Sequence, residues 1–70
     1  MPKLKFVLEE KHGKKVEREE TYDISDVILY ILDFFTRIPA KDCVGFAPKP
    51  NVMEFSFGDS CLRVTIIIEE

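Results

Sequence analysis

Few side chains in this sequence have the types and spacing that chemistry demands. Nucleophilic catalysis needs a nucleophile beside a base that a third group holds in place. The one histidine is His12 and the two thiols are Cys43 and Cys61, and no local signature sets either thiol beside the imidazole. His12 stands in Lys11-His12-Gly13, which reads as a turn, where a histidine is a solvated tip residue. A zinc site takes about four ligands at paired spacings, and Cys43, Cys61 and His12 have none of them. The three glycines, Gly13, Gly45 and Gly58, are isolated and each suits a turn, so no glycine-rich phosphate loop is present. The expected protein has no catalytic residues, metal or cofactor and is not an enzyme.

Charge offers a second kind of site. Lys11, His12, Lys14 and Lys15 cluster at the first turn, and Lys41 and Lys49 belong to a loop expected at the same end. Together they could contact phosphates, which makes a nucleic-acid-binding accessory protein the alternative reading. Several features weigh against it. Phe46 is the sole aromatic near them for stacking, and Glu69 and Glu70 are expected to emerge at that end. The net charge of −3 also argues against a surface built throughout for nucleic acid. A solvated turn whose lysines add solubility is the simpler account.

The chain must supply elements to position any site. With 46% apolar and 33% charged residues in 70, it is too apolar for disorder and reads as one domain over 1–70. Its longest apolar run, Val27 to Leu32, falls short of the roughly 20 residues of a membrane span. Met1-Pro2-Lys3-Leu4-Lys5 has no apolar signal core, so a cytoplasmic location without membrane contact is expected. One asparagine and no glutamine among many Glu and Lys fit a heat-adapted source.

Leu4, Phe6 and Leu8 alternate with Lys5, Val7 and Glu9, the period of a half-buried strand. A three-residue loop, Lys11-His12-Gly13, would set Leu8 opposite Val16 in a second strand over Val16–Tyr22. That strand is rich in charge, which suits a sheet edge. Asp23 or Ser25 caps a helix that runs to about Ile38, where Pro39 stops it. Val27, Ile28, Ile31, Leu32, Phe34, Phe35 and Ile38 form its apolar arc, with Leu29 outside the arc. Pro39–Pro50, holding three prolines, reads as a loop. Met53, Phe55 and Phe57 then alternate in a strand, Gly58-Asp59 makes a two-residue turn, and Leu62, Val64, Ile66 and Ile68 face inward on the last strand.

Two hairpins joined by a helix predict an α+β fold, ββαββ, with a four-stranded sheet and the helix on one face. A right-handed crossover gives the order 2-1-4-3, with the first and last strands parallel. This is a β-grasp-like topology, a likeness of architecture that carries no function. It places Cys43 and Cys61 at opposite ends of the sheet, too far apart for a disulfide. The chain also ends in a strand, Ile66-Ile67-Ile68-Glu69-Glu70, without the terminal glycine that ubiquitin-like carriers use.

The helix carries a wider apolar arc than one sheet face requires. Leu29 and Leu32, with Phe46 from the following loop, are therefore the candidate interface residues. A small non-enzymatic protein-interaction module, self-associating as a homodimer or joined to a protein partner through the helix, is the leading expectation.

Overall fold

Each alternating run becomes a strand, and so does one segment rich in proline. A computed structural model describes residues 3–69. In chain order it contains β1 (Lys3–His12), β2 (Lys15–Thr21), α1 (Ile24–Arg37), one 3-10 turn (Ala40–Asp42), β3 (Val44–Lys49), β4 (Val52–Phe57) and β5 (Ser60–Glu69). The strands form one sheet in the order β2-β1-β5-β4-β3, and every neighbouring pair is antiparallel.

The α+β class with one helix holds, but the finer topology is corrected. The sheet has five strands, not four, and the order is 2-1-5-4-3, not 2-1-4-3. The extra strand is β3, inside the segment expected to be a loop. One added strand reverses the direction of all that follow it, so β1 and β5 pair antiparallel and the β-grasp-like parallel centre does not form. Prolines masked β3 in the sequence. Pro48 is tolerated because β3 is an edge strand, where one face of the ladder needs no donor, and the register shifts between Phe46 and Lys49.

The first hairpin also differs. His12 pairs with Lys15 and Leu8 with Glu19, so the turn is the two residues Gly13-Lys14, and Leu8 does not face Val16. Gly13 has φ +59°, the left-handed conformation that glycine adopts freely and that the first position of a tight hairpin requires. Strand β2 has no apolar face to bury, so its register follows the turn and not the hydrophobic pattern. The second hairpin has the expected register, with Phe55 opposite Leu62 and Met53 opposite Val64.

Alternation sends even-numbered β1 and β5 residues toward α1. Phe6, Leu8, Leu62 and Val64 form the core with Val27 and Phe34 of the helix, and Phe35 meets Phe55 edge-on at 5.3 Å between centroids. Asp23 caps α1 by accepting the Ser25 N–H at 2.8 Å. The opposite face of the sheet mixes charge with apolar side chains: Val7 is buried there, and Val16, Val44, Phe46 and Ile67 are exposed. Across it Arg18, Glu9, Arg63 and Glu54 stand in one register row of alternating charge, and Arg63 Nε donates to Glu54 Oε1 at 2.6 Å. An antiparallel sheet with one solvated face needs this pattern.

The cysteines are not at opposite ends. Cys43 directly precedes Val44, which is opposite Ser56, and Ser56 is opposite Cys61. Two strand spacings of roughly 10 Å separate the positions, still beyond disulfide reach, and both thiols are free.

Candidate interaction surface

The helix is turned from the expected orientation, and a buried charge explains why. Glu10 lies on the helix-facing side of β1 and is only 2% exposed. Arg37, in the last turn of α1, donates from Nη2 to Glu10 Oε1 at 2.6 Å and to Asp33 Oδ2 at 3.0 Å. Meeting this carboxylate brings the Arg37 and Tyr30 side of the helix toward the sheet. Tyr30, which lies outside the apolar arc, packs against the core, and its burial raises its phenol pKa. At ~100° per residue this is a rotation of roughly 60°, and it carries part of the apolar arc out of the core.

Ile24, Ile28 and Leu32 consequently line an exposed flank, at 53%, 51% and 57% exposure. Leu29 is exposed on the far side of α1 at 64%. The helix backbone approaches β1 and β2 most closely, which leaves the other side of the sheet thinly covered. Leu4 and Ile68, opposite one another in the β1–β5 ladder, and Met53 of β4 point to the helix side by alternation yet remain exposed. Five strands span about 19 Å at 4.8 Å each, whereas one helix with its side chains is about 10 Å across. A flank of the helix and a corner of the sheet face that it covers both leave apolar side chains exposed.

Of the expected interface residues, Leu29 and Leu32 are exposed on α1, but Phe46 is not with them. Phe46 pairs with Glu54, which puts it on the face of the sheet away from the helix. Ile24, Ile28, Leu4, Met53 and Ile68 escaped the sequence reading. Their signal was present in the number of inward apolar positions, which exceeds what one helix can cover.

The basic candidates are only partly assembled. Gly13 N–H donates to the Asp59 carbonyl at 3.1 Å, so the two hairpin tips lie side by side, with Lys11, Lys14 and Lys15 on the first. Lys41, in the 3-10 turn, precedes the end of β3 nearest that tip. Lys49 is at the other end of β3, opposite Val52. Glu69 pairs with Lys3, far from the tip, and accepts a hydrogen bond from Tyr22 Oη at 2.6 Å; Glu70 lies outside the described residues. Lys15 is 2.9 Å from Glu17, which raises the lysine pKa and lowers that of the carboxylate.

His12 is not a solvated tip residue. It closes β1 on the helix side, stacks on Phe34 at 6.4 Å, and sets Nδ1 2.9 Å from Ser60 Oγ and Nε2 3.3 Å from Glu10 Oε2. A hydroxyl, an imidazole and a carboxylate in line have the parts of a nucleophilic relay. Here Arg37 engages the carboxylate and the Gly13 amide is bonded to Asp59, so the chain of contacts joins β1, β5 and α1. Among the described residues no three His, Cys, Asp or Glu side chains are grouped to hold a metal ion, and no helix is long and apolar enough to cross a membrane. Comparison with protein-family models, curated proteins and solved structures finds no match to this chain.

Proposed function

We propose that this chain is a non-enzymatic protein-interaction module that binds through the exposed flank of α1 and the adjoining corner of the sheet. The observation that carries this reading is the exposure of six large apolar side chains on the helix-bearing side of the molecule, Ile24, Ile28 and Leu32 on α1 and Leu4, Met53 and Ile68 on the sheet face that α1 covers, all more than two-fifths exposed. Contiguous apolar patches of several hundred Å² on a small protein mark interaction sites.

The test compares immobilised wild type with the Ile28→Lys/Leu32→Lys variant in extract of the source cells, alongside the self-association of each. Both side chains are exposed, so the variant keeps its circular dichroism spectrum. The module reading expects a bound protein, or self-association, that the variant loses. Identical retained proteins and identical mass in solution for the two forms would remove it.

A further inference from the structure

Resting on that reading, we propose that the occupant of this surface is a second copy of the chain, docked by two-fold exchange. The α1 of each copy lays its Ile28 and Leu32 flank over Leu4, Met53 and Ile68 of the other.

Three observations converge. The first is area: Leu4, Ile24, Ile28, Leu32, Met53 and Ile68, at 41% to 66% exposure, present roughly 600 Å², the share each partner brings at the lower end of stable interfaces. Second, the chain exposes 5036 Å², whereas a compact monomer of 8.1 kDa exposes roughly 4500 Å², an excess of the same order. Third, the surface is self-complementary. The sheet lacks a second helix on one side, and the chain's own helix has an unused apolar flank. A two-fold axis makes each contact occur twice, so one helix flank and one sheet corner per copy complete both. Leu29, beyond Leu32 on the outer side of α1, then reaches toward the partner's sheet.

Analytical ultracentrifugation of the full chain tests the proposal. Wild type is expected at twice the chain mass. Leu32→Glu and Ile68→Lys should each raise the dimer dissociation constant by ~100-fold, the scale of losing a central interface anchor, with unchanged circular dichroism. Mixing these two variants should restore a dimer, because exchange brings position 32 of one copy against position 68 of the other with opposite charges. Wild type that stays monomeric at millimolar concentration overturns the proposal, and so does a mixture that remains as monomeric as its components. If that monomer still retains an extract protein that Ile28→Lys/Leu32→Lys loses, the second copy falls and the interaction module stands. If it retains none, both fall.

Discussion

Glu10 shows how one residue can orient an element. A carboxylate at 2% exposure is costly without compensation, and Arg37 compensates it from across 27 positions of sequence. Arg37→Ala should therefore destabilise the chain by about 2 kcal/mol, the scale of a hydrogen bond to a charged group. The figure sits below that of a fully buried pair because the Arg37 side chain is 44% exposed. Urea denaturation of Arg37→Ala, Glu10→Gln and the double variant checks it, with the double variant losing less than the two single losses together. Additive losses would show that the pair is not coupled. A surface pair makes a different prediction. Lys5 lies 2.8 Å from Glu20, and its hydrogen bond and charge hold the Glu20 carboxyl below the ordinary 4.5. The folded value is depressed, so this contribution to stability is complete above the ordinary value and is lost as pH falls through the folded one. In an NMR titration, Glu20 should inflect below the ordinary range in wild type and move up in Lys5→Met; an unmoved inflection would contradict the pairing.

Among the elements, α1 and β3 depart most from simple pattern. The rotation of α1 separates two neighbouring phenylalanines. Phe34 is fully buried and Phe35 only partly, although both lie in the apolar arc. Phe34→Ala should cost about 3–5 kcal/mol, the range for removing a buried aromatic. Phe35→Ala should cost less, about 2 kcal/mol, because it already has solvent on one side and loses mainly its edge contact with Phe55. Thermal or urea unfolding of both variants ranks them, and a larger loss at Phe35 would place the helix in the orientation its hydrophobic arc alone suggests. The strand β3 was legible only as Val44, Gly45 and Phe46 in alternation. Gly45 lies opposite Phe55, where a Cβ would meet the ring at 3.5 Å, an ordinary packing contact, so the position accepts a small side chain without crowding.

For the whole molecule, a five-stranded sheet under one helix is an unbalanced layer arrangement. Domains of this size gain little margin from their own cores, and association removes apolar surface that folding leaves exposed. The proposed dimer ties stability to concentration by mass action. The melting midpoint of wild type should thus rise as the chain is concentrated, while that of Ile68→Lys should not. Equal midpoints for wild type across a hundredfold range would argue against the exchange.

What the sequence determined by itself are the features set by near neighbours. Strand periodicity, the Asp23 cap, the stop at Pro39 and the Gly58-Asp59 hairpin register each depend on a few adjacent residues and survive in the structure. Leu29 as an exposed leucine belongs to the same class, since helical spacing alone sets it outside the apolar arc, whereas Leu32 lies within that arc and is exposed by the turn of α1. Tertiary structure decided whatever depends on groups distant in sequence. The antiparallel centre follows from β3, which becomes a strand only because β4 offers it an edge. The company of His12 and Ser60 follows from β1 pairing with β5. The orientation of α1 follows from Glu10, whose burial no local pattern reveals, because a glutamate in an alternating strand reads equally well as solvent-facing until a distant arginine arrives to meet it. The apolar surface is the consequence of both: local pattern supplied its side chains, and the long-range ion pair turned them out of the core.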